Sequence, residues 1–280
     1  MQQSLAEIRL RNGAFIYTRR TTDKPHNSQH HTYMLNCYQL FYLVSGNVEY
    51  QVEGACYPLN PGDLIILNKK ELHRPYFASE DSYERVLLFF RPEFCVHYCD
   101  EQYDLLRYFE RKKPGSFNRL PGELVMAEGL HRYFEEMEAH ERSGLPERGL
   151  LIELTFVRLL VHLNQLVSAY PGSIDFRYDT HEKLDLIMTF VHDNLHRNVP
   201  LDEIESRFHI NKYYFSHLFK KATGSSFKKY VTMKRLAKAA ELLKLSVAPS
   251  EAARRAGFED YSNFYKAFTG MMGVPPSKYK

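Results

Sequence analysis

Residues 199–246 read VPLDEIESRFHINKYYFSHLFKKATGSSFKKYVTMKRLAKAAELLKLS, and the spacing of their apolar side chains decides how the C-terminal third of the chain folds. Leu201, Ile204 and Phe208 recur at helical spacing, then His209-Ile210-Asn211 interrupts the pattern. Asn211 is a residue that caps a following helix with its side-chain oxygen. Phe215, Leu218 and Phe219 form the inner stripe of that next helix, which stops before Gly224 because glycine readily takes the left-handed conformation that ends a helix. Two short helices joined by a tight turn form a helix-turn-helix, whose second helix fits a DNA major groove.

A longer helix follows over roughly 226–245, with Tyr230, Met233, Leu236, Ala240 and Leu243 on its inner side. A second unit of the same design comes after it. Ser250 to Ala256 is a short helix, Gly257 the turn, and Ser262 to Met272 a second candidate reader with Phe258, Phe264 and Phe268 inward. The two readers form a weak internal repeat, FSHLFKKATG against FYKAFTGMMG.

Charge supports the same division. Residues 181–280 hold 17 lysines and arginines against 10 acids, a surplus of +7, whereas the other 180 residues hold 20 against 24. A basic tail on a neutral-to-acidic body points to a polyanion partner.

The stretches LFKKATGSSFKKYVTMKRLAKAAELL and AGFEDYSNFYKAFTGMMGVPPSKYK resemble the AraC/XylS family of bacterial transcription regulators over about 100 residues. Four positions depart from that pattern. Thr269-Gly270 stands where the family usually has a basic pair, Lys280 where it has arginine, and Ala252 where it has isoleucine. The resemblance implies two helix-turn-helix units on one rigid helix, entering successive major-groove segments about one turn (~34 Å) apart. Off the apolar stripes lie Lys212, Tyr213, Ser216, His217 and Lys220 on the first reader, and Tyr261, Ser262, Asn263, Tyr265 and Lys266 on the second. By matching position, base contacts would fall on Tyr213, Ser216, His217, Ser262, Asn263 and Lys266, while Lys220, Lys221, Lys228 and Lys229 suit phosphate.

Upstream, the pattern is one of strands. LFYLVSG, VEYQV, CYPLNPGDLIIL and ERVLLFF are short apolar runs separated by glycine- and proline-bearing turns, the signature of an antiparallel sandwich or barrel. Three helical segments follow, over 101–111, 122–142 and 148–169. Apolar residues cover most of the last one's circumference, so it suits packing on the barrel with one face and on a second copy of the chain with another. Tyr170-Pro171-Gly172-Ser173 then breaks the helix. The division expected is a ligand-sensing and dimerisation domain over 1–170, a linker over 171–180 and a DNA-binding domain over 181–280.

YQLFYLVSG and PGDLIILNKKELHRPY resemble the cupin-like sensor half of the same family. Cupin enzymes hold a metal through two histidines and a glutamate in their first motif and a histidine in their second. In that register Gln39 occupies the glutamate position, His30 and His31 miss theirs, and His73 alone matches. One imidazole and a neutral amide make a poor divalent-metal site, so neither metal catalysis nor a cofactor is expected. A binding pocket is expected instead. Gln39 and Phe41 share one strand face by period two, and His31, Tyr33, His73, Tyr76 and Arg85 add donors, acceptors and flat rings of the kind that hold a small polar ligand such as a sugar.

The fold class expected is therefore α+β multidomain: a cupin-like β-barrel with flanking dimerisation helices, then an all-α domain of two helix-turn-helix units on a long linker helix. The function expected is ligand-controlled, sequence-specific transcription regulation, not enzymatic. Control by a partner protein, or a cupin enzyme fused to a DNA module, are the other classes this sequence allows. Expected partners are double-stranded operator or promoter DNA, a small-molecule effector with carbohydrates among the candidates, a second copy of the chain, and RNA polymerase. No run of 18 apolar residues and no secretory leader occur, and only four cysteines are present, so a cytoplasmic location is expected.

Overall fold

The structure is a computed structural model; it describes residues 2–26, 37–112, 114–169 and 182–279. Two compact units emerge, Met1–Asp179 and Thr180–Lys280. The expected linker, 171–180, lies outside the described residues, as do His31 and Tyr33.

In the first unit, strands β1 (Gln2–Leu10), β2 (Phe15–Thr22), β3 (Tyr38–Ser45), β6 (Leu64–Leu67), β8 (Tyr83–Phe90) and β9 (Arg119–Leu120) form a six-stranded sheet in the order β1-β2-β8-β3-β6-β9. Strands β4 (Val48–Val52), β5 (Ala55–Leu59) and β7 (His73–Tyr76) form a second sheet, β5-β4-β7. Every pairing is antiparallel. The described strands make a two-sheet, cupin-like sandwich, the β-rich N-terminal domain expected, with its ladder left open between the sheets. Its inner core is Phe41, Leu43, Val48, Tyr50, Tyr57, Ile65, Leu67 and Tyr83, drawn from both sheets. Gly46 turns β3 into β4 at φ +96°, where a Cβ would sit 2.5 Å from Tyr83 Cβ, so only glycine fits that corner.

Because side chains alternate across a strand, the larger sheet presents Phe15, Tyr17, Tyr38, Leu40, Leu88 and Phe90 to its other side. There they pack on α1 (Pro92–Cys95), α2 (Arg107–Arg111), α3 (Gly122–Ala127), α4 (His131–Ser143) and α5 (Arg148–Ala169). The helix expected from 101 begins only at Arg107. Asp100 takes up the Gln102 and Tyr103 amides and Asp104 that of Leu106, and such local bonds compete with the helical ladder. The helix expected over 122–142 is split at Gly129, whose φ is +68°. Helix α5 buries Ile152, Phe156, Leu159, Leu160 and Leu163 but leaves Leu150 and Leu154 56 % and 44 % exposed. It is long and apolar enough to cross a membrane, yet half of that stretch is buried within the unit, as in the core helix of a folded domain.

The second unit is wholly helical among its described residues: α6 (Glu182–Asp193), α7 (Leu201–Phe208), α8 (Lys212–Thr223), α9 (Phe227–Lys244), α10 (Pro249–Arg255) and α11 (Tyr261–Met272). Helix α9 is its spine. Toward α8 it offers Phe227 and Tyr230, which meet Phe215 and Phe219 ring to ring. Toward α10 and α11 it offers Leu236, Ala239, Ala240 and Leu243, packed with Ala252, Phe264 and Phe268. Arg235 Nε and Nη2 donate to the Leu195 and Arg197 carbonyls at 2.8 Å each, satisfying acceptors in the turn after α6.

Candidate nucleic-acid interface and ligand-binding face

Each reader helix is fixed at both ends. Asn211 accepts from the Tyr213 and Tyr214 amides at 3.0 and 3.2 Å, and Gly224 closes α8 in the left-handed conformation. Asp260 accepts from the Asn263 amide at 2.6 Å, and Gly273 closes α11 in the same way. With Phe215 and Phe219, and Phe264 and Phe268, fully buried, the opposite faces must point outward.

On α8 that face carries Tyr213, His217, Lys220 and, at its edge, Lys221, all exposed. Tyr213 is 76 % exposed, with Lys212 Nζ 5.9 Å from the centre of its ring. Ser216 is half-buried and donates its hydroxyl to the Lys212 carbonyl at 2.8 Å. Lys212 Nζ lies 2.7 Å from Asp202, an exposed pair worth little that a phosphate can displace. On α11, Tyr261, Ser262, Asn263, Tyr265 and Lys266 are all exposed. Each predicted DNA-contacting residue is thus on the solvent side of its reader or at its margin. Tyr214, 54 % exposed, lies on the same side, a residue not among those expected from the sequence. Lys228 and Lys229 are exposed on the first turn of α9.

The ligand residues proposed from sequence occupy two depths. Gln39, Phe41 and His73 lie in the sandwich core, each at most 2 % exposed. The Gln39 side-chain amide sits 3.2 Å from His73 Nε2 and 3.1 Å from the Tyr50 hydroxyl, and His73 Nδ1 meets the Glu71 carbonyl at 2.8 Å. Burial pushes the His73 pKa down to about 4, against the upward pull of Glu71 and Glu53. A neutral imidazole then bridges the sheets, since burial disfavours its charged form. Tyr76 is at the surface, under the Arg74 guanidinium at 5.9 Å. Among the described residues no three His, Cys, Asp or Glu side chains gather as a metal ion requires.

Arg85 lies on the inner face of β8. It is 6 % exposed, donates from Nη1 to Thr22 Oγ1 at 2.8 Å and stacks over the Tyr83 ring at 4.8 Å. Its register partner on β2 is Arg20. Sequence reading missed Arg20 and Thr22, although period two within FIYTRRTT places Thr18, Arg20 and Thr22 on one face.

A sandwich with an apolar helical layer, followed by two capped helix-turn-helix units with exposed polar readers, defines a DNA-binding regulator with a separate sensor domain. Comparison with known proteins names the family. An AraC-like ligand-binding domain matches residues 12–155 and a helix-turn-helix domain residues 204–280, so the chain belongs to the AraC-type transcriptional regulators, a family of regulators and not of enzymes. It is 32 % identical over 95 residues to the multiple antibiotic resistance protein MarA of Escherichia coli, covering 34 % of this chain and 75 % of MarA. It is 29 % identical over 120 residues to the uncharacterised HTH-type regulator YtdP of Bacillus subtilis, covering 42 % of this chain but only 16 % of YtdP. Among solved structures, unsaturated fatty acid bound ToxT from Vibrio cholerae is similar over all of this chain and 96 % of its own, with 16 % identity and a TM-score of 0.38.

Proposed function

We propose that the chain is an effector-controlled transcription factor, located in the cytoplasm, whose N-terminal domain (1–170) binds a small polar molecule and dimerises, and whose C-terminal domain (181–280) binds operator DNA through both readers. The observation that carries the DNA half is the shared outward face of α8 and α11, where His217 and Lys266 follow their buried Phe215 and Phe264 by the same two residues. His217, Lys266, Tyr213, Ser216, Ser262 and Asn263 read base edges, and Lys220, Lys221, Lys228 and Lys229 hold phosphates. Tyr261, Tyr265 and Lys212 flank them.

For the sensor half, the support is two polar groups on the inner side of the sandwich: Arg85 with Thr22, and, four residues away along β3, the Gln39–His73 network. A sugar or similarly hydroxylated molecule suits hydroxyls, an amide and ring faces together. The exposed Leu150 and Leu154, one turn apart on α5, support a helix-to-helix dimer. Effector binding shifts the population of DNA-competent dimers, and RNA polymerase is the partner through which such a factor acts.

The test is operator selection from a random DNA library with the full chain, followed by a thermal-shift screen of small metabolites. Selection of one motif with two half-sites about a helical turn apart, together with a compound that changes its occupancy, is the expected result. Uniform enrichment of all sequences would remove the DNA reading. A motif that no compound modulates would leave control to a partner protein.

A further inference from the structure

The face formed by β1, β2 and β8 opposite the helical layer is short of negative charge. Strand alternation puts Glu7 and Arg9 of β1, Thr18, Arg20 and Thr22 of β2, and Arg85 of β8 on that side, because Ile8, Tyr17 and Val86 belong to the helical side. Three guanidinium groups therefore face one carboxylate, which only two of them reach. Glu7 pairs with Arg9 at 2.8 Å and with Arg20 at 3.1 Å. Arg85, buried and deeper toward Leu43, has no carboxylate within ion-pairing distance among the described residues.

An arginine stays charged in a protein and presents five N–H donors. One threonine hydroxyl and one ring face satisfy Arg85 only in part. Arg20 pairs with Glu7 through Nη2 alone, and its Nε is buried without a hydrogen-bond partner. The two stand opposite each other across the strand pair, with Cβ atoms about 5 Å apart, where like charges repel. Such an arrangement is unfavourable in an empty site and becomes favourable once a carboxylate accepts from the paired forks.

We propose that Arg85 and Arg20 form a carboxylate site, and that the effector is a small organic acid whose hydroxyl-bearing or ring body lies against Thr18, Thr22 and the Tyr83 ring. This rests on the reading of the N-terminal unit as the effector domain and narrows the ligand from polar molecules in general to anionic ones. Sugar acids fit both statements.

Two measurements on the full chain test it. The first uses no ligand. Arg85→Met keeps the bulk and removes the unpaired charge, so it should raise the thermal midpoint of the apo protein by about 2 °C or more. A lowered midpoint would make Arg85 a structural residue and end the proposal. The second compares matched probes at constant ionic strength: D-glucuronate with D-glucose, D-galacturonate with D-galactose, and benzoate with benzamide. At least one acid should raise the midpoint by roughly 3 °C at tenfold saturation, its neutral twin should not, and Arg85→Met should abolish the shift. An equal response to a neutral twin would overturn the carboxylate site yet leave an effector domain standing. Silence from every probe would overturn both.

Discussion

The two helix-turn-helix units are built on one plan and weighted differently. Aligning Phe215 with Phe264 also aligns the caps Asn211 and Asp260, the second inner phenylalanines Phe219 and Phe268, and the closing glycines Gly224 and Gly273. The outer faces diverge. Helix α8 carries Lys212, Lys220 and Lys221 and no acid, whereas α11 carries Lys266 alone and starts from an acidic cap. Where α8 has Lys220-Lys221, α11 has Thr269-Gly270. On the proposed reading, the first unit carries more of the phosphate-binding lysines. The second, with tyrosines, Ser262 and Asn263 exposed around one lysine, relies more on base contacts.

The largest expected effect separates their frameworks. At the turn of the first unit His209 takes a left-handed φ of +49°; in the second, Gly257 takes +95°, and a Cβ there would meet the Leu195 carbonyl oxygen at 2.2 Å and Arg235 Nε at 2.9 Å. Gly257→Ala should destabilise the C-terminal domain by about 3 kcal/mol or more, read by denaturant unfolding, whereas His209→Gly should change stability by less than about 1 kcal/mol. Equal effects would mean the second turn is not the constrained one. Next, Lys266→Ala should lose about 1–3 kcal/mol at the cognate operator and relax preference at one or two base pairs, measured by competition binding. Equal loss on cognate and random DNA would return α11 to phosphate binding. Asn211→Ala removes a cap that serves two amides and should cost about 1 kcal/mol of stability. Lys220→Ala should weaken binding to all sequences alike and lower the salt-dependence slope by about 1. The smallest effect is at the second cap: Asp260→Asn keeps an accepting oxygen but removes an exposed negative charge at the start of α11, and should tighten DNA binding by about 0.5 kcal/mol. A weakened complex would show that Asp260 contacts a base donor.

The same contrast explains what the sequence made legible. The helical unit could be read almost residue by residue, because Asn211, Gly224 and the paired phenylalanines are local signals that act within one or two turns. The sandwich was less legible. Its strands were recognisable from period two and their turns, but the pairing of β2 with β8, which brings Arg20 beside Arg85, joins residues 65 positions apart and leaves no local trace. The helix starting at 107 rather than 101 was hidden for the opposite reason: two aspartates captured nearby amides before the ladder could form.

Arg235 holds the turn after α6 to the spine helix, and that same helix is packed on both readers. The distance between the two reading heads is thereby set by folded protein and not by a tether. Eighteen residues of α9 at 1.5 Å each give a spacer of about 27 Å with no slack in it. If both readers enter the groove as proposed, target sites can drift by base substitution, one letter at a time, but a single inserted base pair between half-sites rotates one of them away by about 35°. The promoter inventory of such a regulator is a set of words of one fixed length.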